Sequence, residues 1–361
     1  MSGATITFPI LGDSFSLNPS RYFEIGNFRI YWYGVIIAVG FLLAALYALK
    51  RAKEFGMTAD NVLDVIIIGV PSAVVGARLF YVLNNFSLFK GDTVGQTLLN
   101  IIDIKSGGSA IYGGLLLVVL FVWLYCRKKK ISCGAMMDLA APSLFIGQCI
   151  GRWGNFVNRE VYGTETDFFL RMGLTTGSGT IYVHPIFLYE SVWDLIGFIV
   201  LHRMSRKRKF DGQIFGIYVI WYGFGRVVCE LLRHPDVSIY IGNTGIKANL
   251  VFAVASIIAA LLFLWLYGMK HFGEPLFVDR AAAAQQGEEN ADNTQAAEAE
   301  PEQEEEHRVV LEEGVDENGN RFQYVEIEVD EDEKEPETEE KTGSPDETGT
   351  NLKDDSSSEE K

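Results

Sequence analysis

The sequence predicts an all-α polytopic membrane protein with seven transmembrane helices, a small extracytoplasmic head region and a disordered acidic C-terminal tail. Three observations carry this expectation. Apolar stretches recur between residues 30 and 268 at lengths near the roughly 20 residues that a helix needs to cross about 30 Å of hydrocarbon. The charge is divided: the 361 residues carry a formal net charge of −16 at a mean hydropathy of +0.13. Residues 274–361 hold 31 Asp and Glu against 7 Lys and Arg, while residues 1–273 hold 24 bases against 16 acids. Basic residues also crowd alternate loops. A uniform globular domain is thereby excluded, and the acidic average says nothing about partners.

In chain order, the predicted spans are 30–49, 62–83, 110–126, 134–150, 186–201, 213–230 and 248–268. The first three and the last meet the length requirement or come close to it. The other three are weaker because each carries charge: Asp138, then Glu190 and Asp194, then Arg226 and Glu230. Such charges are costly in a span and should face a protein interior or a wet cavity. Seven crossings put the two ends on opposite sides. With the N-terminus outside, the inner loops 50–61, 127–133, 202–212 and 269–273 hold 13 Lys and Arg in about 35 residues. The outer loops hold nine in about 107 residues, which fixes the orientation by the positive-inside rule. Residues 1–29 lack a basic segment followed by a short apolar core, so no cleavable signal peptide is expected. Cysteines at 126, 133, 149 and 229 have neither CxxC nor zinc-cluster spacing, so free thiols and no metal or cofactor are expected. The tail, residues 274–361, is too poor in apolar residues to offset the entropy of ordering. Within it only residues 321–329 alternate at period two, as a strand or an amphipathic docking segment would, although composition favours disorder there too.

Candidate chemistry gathers toward the outer face. Tyr31-Trp32-Tyr33 opens the first span as an interfacial aromatic belt, or as an inward tyrosine that binds a headgroup. Arg78, near the outer end of the second span, reads as a snorkelling arginine. Gly107-Gly108 and Gly113-Gly114 bracket Tyr112 and permit close helix or lipid approach. Residues 151–163, Gly-Arg-Trp-Gly-Asn-Phe-Val-Asn-Arg-Glu-Val-Tyr-Gly, pack Arg152, Asn155, Arg159 and Glu160 among glycines. That mixture suits either a polar capping loop or a phosphate site, because guanidinium forks match phosphate oxygens. His184 precedes the fifth span and reads first as a structural histidine. Tyr222, Arg226 and Glu230 recur every four residues on one helix face. This arginine and glutamate could neutralise each other, or Arg226 could join Arg152 in one outer cavity.

The pattern Gly-Arg-x-Gly-Asn-Phe-x-Asn-x-Glu-x-x-Gly at 151–163 resembles the signature of the prolipoprotein diacylglyceryl transferase family, with every fixed position filled. Trp32-Tyr33-Gly34, Gly76-Ala77-Arg78, the glycine frame at 107–114, Ala141-Pro142, His184-Pro185, Tyr189-Glu190 and Tyr222-Gly223-Phe224-Gly225-Arg226 with Glu230 extend the resemblance over about residues 8–270. It implies a multi-pass enzyme of the bacterial plasma membrane. Such an enzyme moves the diacylglyceryl group of phosphatidylglycerol to the lipobox cysteine of a prolipoprotein signal peptide and releases glycerol phosphate. Its implied partners are these two substrates and membrane lipids, with no nucleic acid and no cofactor. Carried over by position, Arg152 and Arg226 are the arginines near the phosphate. Tyr33, Asn155, Gly163 and Tyr222 match other functional positions, and Glu160 and Glu230 match supporting carboxylates. The family often has histidine where this chain has Tyr112. Tyr112 then orients the headgroup, or the arginines lower the thiol pKa, or a carboxylate or His184 acts as base. An anionic-lipid transporter and a membrane scaffold are the rival readings.

Overall fold

The computed structural model describes residues 4–12, 15–103, 111–238, 240–241, 244–298, 309–315 and 321–326. Its helices are α1 (Trp32–Arg51), α2 (Ala59–Asn84), the short α3 (Val94–Ile102), α4 (Ile111–Lys129), α5 (Cys133–Asn158), α6 (Ile186–Met204), α7 (Gln213–Leu232), α8 (Ala248–His271) and α9 (Phe277–Glu298). A long helix therefore occupies each of the seven apolar segments. The helices α1, α2, α5, α7 and α8 are long and apolar enough to cross a membrane. The other two carry more charge: α4 ends on Arg127, Lys128 and Lys129, and α6 contains Glu190, Asp194 and Arg203.

The charges inside the weak spans face the protein interior. Asp138 on α5 is fully buried and accepts hydrogen bonds from the backbone N–H groups of Gly212 (2.9 Å) and Phe215 (2.8 Å). It thus satisfies amides at the N-terminus of α7 that have no partner within that helix. Arg78 is buried rather than snorkelling. It donates to the carbonyl oxygens of Ile101 (2.8 Å), Asn100 (2.9 Å) and Asp103 (2.7 Å) at the C-terminal end of α3, and it lies over the Phe89 ring. Helices α2 and α4 meet through backbone: a methyl group on Gly113 would collide with the carbonyl oxygen of Gly76. Gly107 and Gly108 lie outside the described residues.

The all-α expectation needs correction, because strands β1 (Thr5–Thr7), β2 (Ser16–Leu17), β3 (Tyr22–Ile25), β4 (Phe28–Tyr31), β5 (Met172–Thr176) and β6 (Gly179–Val183) are present. Four of them form an antiparallel sheet in the order β2-β1-β5-β6, with Ile6 opposite Leu174 and Leu174 opposite Ile181. Ala4, Ile6, Met172, Leu174 and Val183 form its buried face, packed on Phe187 of α6. Strands of two to five residues are too short to show alternation above the noise of the sequence.

The tail also departs from the expectation of uniform disorder. Its first part is the helix α9, whose opening turn is held by the body. The Phe277 backbone N–H donates to Asp211 Oδ2 (3.0 Å), and Arg280 Nη2 contacts the same oxygen (3.3 Å). The compact unit containing these contacts spans Met1–Thr294, and a second unit spans Gln295–Lys361. Within the second, β7 (Val309–Val315) and β8 (Arg321–Glu326) pair antiparallel with a bulge between Val310 and Glu312. The alternating patch thus forms a strand as far as Glu326, and residues 327–329 lie outside the described residues.

Candidate functional site

Helices α6 and α7 are fixed against each other by two indoles. Trp193 and Trp221 stack with centroids 4.5 Å apart and planes at 20°. Each indole N–H donates to the other residue's backbone carbonyl, at 2.9 Å and 3.1 Å. Gly197 and Gly225 make room for the rings, since a methyl group on Gly225 would collide with Trp193. This lock sets the register between the N-terminal half of α6 and the C-terminal half of α7, where the charged residues lie.

Glu190 of α6 is 5% exposed and sits among three arginines. Arg226 Nη1 donates to its Oε1 at 2.8 Å, Arg233 Nη2 reaches the same oxygen at 3.4 Å, and Arg152 Nε lies 3.2 Å from Oε2. Glu230, fully buried, is the second counter-ion: its Oε2 lies 3.3 Å from Arg226 Nη2 and 3.5 Å from Arg233 Nη1. The expected i, i+4 pair of Arg226 and Glu230 is present, but it belongs to a five-residue network drawn from α5, α6 and α7. Asp194, one turn further along α6, is 2% exposed. Two carboxylates thus contact three guanidiniums, so the network itself carries no acidic excess to repel an anion. Arg152 has its ion pair with Glu190 and makes no hydrogen bond among the described residues, and the facing Glu190 Oε2 is likewise buried without one. A half-buried guanidinium with unused donors has the chemistry to accept an anion.

The other sequence candidates divide into two groups. Tyr222 lies one turn before Arg226, stacked parallel to Tyr218 at 6.0 Å, and Tyr33 packs its ring on Gly154. Their hydroxyls have no hydrogen-bond partner among the described residues. Asn155 and Asn158 donate through Nδ2 to Glu160 Oε1, at 2.9 and 3.3 Å, closing a separate local cluster at the C-terminus of α5. Residues 151–158 are not a loop: they are the last two turns of α5, and the chain turns only at Arg159, with φ +54°. Arg159 donates to the Ala4 carbonyl (2.8 Å) and Asn18 Oδ1 (2.7 Å), tying this end to the sheet. Gly163 is explained by close approach. Its N–H donates to the His184 carbonyl (2.9 Å), it bridges to Arg233, and an added methyl group would come within 2.6 Å of His184 Cβ. His184 contacts the Tyr189 hydroxyl through Nδ1 at 3.2 Å, and burial lowers its pKa below the ordinary imidazole value.

Three residues were not legible as site members. Arg233 was legible on the helix face of Arg226 and Glu230, just beyond the span, but not as a site member; it is 5% exposed and bridges both glutamates. Lys247 donates through Nζ to the carbonyls of Glu230 (2.6 Å) and Arg233 (3.1 Å), neutralising the C-terminal end of α7. Asn249, at the start of α8, accepts the Tyr112 hydroxyl at Oδ1 (2.7 Å) and donates through Nδ2 to Glu230 Oε2 (3.4 Å). It thereby links Tyr112 to the arginine network, and Phe252 packs on the Tyr112 ring at 4.6 Å. The only available signal was a lone amide at the mouth of a very apolar span.

Comparison with known proteins shows what the chain is similar to. A sequence model described as prolipoprotein diacylglyceryl transferase matches residues 20–266. A phosphatidylglycerol–prolipoprotein diacylglyceryl transferase of Streptococcus equi subsp. equi is 38% identical over 258 residues, covering 69% of this chain and 95% of its own length. Relatives of the same description from Finegoldia magna and Streptococcus sanguinis are 39% and 41% identical over 241 and 221 residues. These alignments cover 66% and 58% of this chain and 92% and 82% of the relatives.

Because Asn249 couples Tyr112 to Glu230, the two side chains should act as one unit in stability. Asn249→Leu and Tyr112→Phe should each cost about 1–2 kcal/mol, and the double variant no more than the larger single loss. Thermal unfolding of the purified protein checks this. Simple addition of the two losses would show that the residues are independent.

Proposed function

The chain belongs to the prolipoprotein diacylglyceryl transferase family, and on that premise we propose that the network of Arg152, Arg226, Arg233, Glu190 and Glu230 is where the transfer occurs. The reaction moves the diacylglyceryl group of phosphatidylglycerol to the lipobox cysteine of a prolipoprotein. The cysteine sulfur bonds to the glycerol carbon that bears the phosphate. The carbon–oxygen bond to that phosphate breaks, glycerol phosphate leaves, and the thiol proton is lost to a base or to solvent. A phosphodiester with one negative charge becomes a monoester approaching two. Preorganised cations stabilise that growing charge best where water is scarce.

The observation that carries this reading is the Arg152 guanidinium, half-buried in the network (side chain 19% exposed) with its Nε buried and no hydrogen bond among the described residues. Arg226 is held on two sides, by Glu190 and Glu230, and supports the same position with fixed charge. Tyr222, one turn away on α7, offers a hydroxyl to the headgroup, and Tyr33, packed on Gly154 of α5, offers another. Asn155 and Glu160 shape the end of α5 beside Arg152. The Tyr112 phenol already donates to Asn249, which favours orientation of the headgroup over abstraction of the thiol proton. Metal assistance is not required by this scheme. A transporter or scaffold reading has no comparable support, since the family match spans the body and the relatives are transferases by description.

Seven crossings, an outer N-terminus with its sheet as a small head, and an inner acidic tail complete the proposal. The motivating observation is the imbalance of 13 basic residues in the inner loops against nine in the much longer outer ones. The body is taken as residues 1–273 and the tail as 274–361.

These assignments make three predictions. Arg152→Ala and Arg226→Ala should each lower transfer to a lipobox peptide in phosphatidylglycerol vesicles at least about a hundredfold, read as diacylglyceryl mass on the peptide. Tyr112→Phe should keep activity within about tenfold of the parent, since a hydrogen bond and not a proton transfer is lost. Wild-type-like transfer by either arginine variant would remove that arginine from the mechanism. For topology, Ser178→Cys in the β5–β6 turn should react with an impermeant maleimide on intact cells. Lys128→Cys should react only after permeabilisation, and the reverse pattern would invert the orientation.

A further inference from the structure

We propose that the ends of α6 and α7 remote from the arginine–glutamate network form a second lipid site, which binds an anionic phospholipid of the opposite leaflet without consuming it. A cavity of about 830 Å³ opens there between the C-terminal end of α6 and the N-terminal end of α7. Phe198, Ile199 and Ile214 form an apolar wall, and Arg203, Arg206 and Lys207 stand at its rim. All three cations are exposed, and none has a hydrogen bond or ion pair among the described residues. The acid on the adjoining turn, Glu54, is already taken by Arg51.

The back of the cavity is built rather than incidental. His202 Nδ1 lies 2.9 Å from the Tyr47 hydroxyl and 3.3 Å from Arg51 Nη1. Arg51, only 4% exposed, also donates to Ser205 Oγ at 3.0 Å. This buried network joins α1 to the end of α6 and fixes the turn that presents the three cations. The apolar wall continues along α6 as an exposed flank of Val192, Leu195, Ile196 and Ile199.

Those two features select the occupant. A soluble anion would use the cations and gain nothing from the wall. A zwitterionic lipid would use the wall and leave the cations uncompensated. An anionic phospholipid places its phosphate at the rim and an acyl chain along the flank, as basic pockets at the cytoplasmic ends of transmembrane helices do. Because the cavity and the catalytic network lie at opposite ends of the same two helices, a molecule here cannot be the one undergoing transfer. The inference rests on the reading that α6 and α7 cross the membrane, but not on the roles given to Arg152 and Arg226.

A benzophenone side chain placed at Ile199 of the full chain, in vesicles of equimolar phosphatidylglycerol and phosphatidylethanolamine, tests this by mass spectrometry of the photoadducts. Phosphatidylglycerol adducts should exceed phosphatidylethanolamine adducts at least about tenfold. The ratio should fall toward parity in Arg203→Gln/Arg206→Gln/Lys207→Gln while transfer activity persists, and it should be unchanged in Arg152→Ala. Equal adducts in the parent protein, a preference that survives the triple variant, or adducts mapping to residues 295–361 of the chain itself would each overturn the proposal. A preference lost in Arg152→Ala would do the same, by assigning the lipid to the transfer site. Should the triple variant fail to insert, the parent protein alone decides. Its preference must weaken as salt rises, and a salt-insensitive preference counts against the site.

Discussion

One carboxylate, Glu190, holds three guanidiniums at a single point. Bringing Arg152, Arg226 and Arg233 together inside an apolar bundle is prohibitive without it, since like charges in a medium of low permittivity repel strongly and each has lost its water. Glu190 receives Arg226 and Arg233 on one oxygen and faces Arg152 with the other, and Glu230 closes the network from below. Buried ion networks of this kind contribute little net stability compared with a packed apolar core. Their use lies in placement: the arginines are fixed in position before a substrate arrives. Catalysis by charge stabilisation depends on that, because donors that need not move cost nothing to reorganise when the phosphate charge grows.

Much of the remaining architecture maintains the separation between α6 and α7 that this contact requires. The reciprocal indole hydrogen bonds of Trp193 and Trp221 fix register, and Gly197 and Gly225 permit the distance. Asp138 caps one end of α7 from within α5, and Lys247 neutralises the other end from the start of α8. The backbone at Gly163 passes between His184 and the end of α7, where a side chain would force them apart and carry Arg233 with it. Thus several residues of the signature sequence serve packing, and only Arg152 among them presents unused donors to the network.

How much of this could be read in advance follows from the physics of each feature. Long apolar helices are legible because roughly twenty consecutive residues contribute to one signal, and all seven segments coincide with helices. Their ends are less so: the fourth apolar run stops near residue 150, yet α5 continues to Asn158 because polar residues facing a protein-lined interior still favour helix. The six strands before α6 leave no comparable trace, being only two to five residues long. At the site, Arg226 with Glu230 was visible because helical spacing alone brings them together. Lys247 and Asn249 were not, because nothing in local spacing marks their contacts with the end of α7, and Arg233, although three residues from Glu230, meets Glu190 only across the chain. Glu190 was noted as a charge in a span and as part of the Tyr189-Glu190 match, whereas its place at the centre depends on a tryptophan lock formed by two separate helices.

The central claim is that this network receives the phosphate of phosphatidylglycerol. A cryo-electron microscopy structure of the protein in a nanodisc containing phosphatidylglycerol tests it most directly. The account predicts a headgroup phosphate oxygen about 3 Å from a guanidinium nitrogen of Arg152, with Arg226 still on Glu190. A phosphate bound elsewhere, with Arg152 left without it in a lipid-occupied structure, would contradict the account.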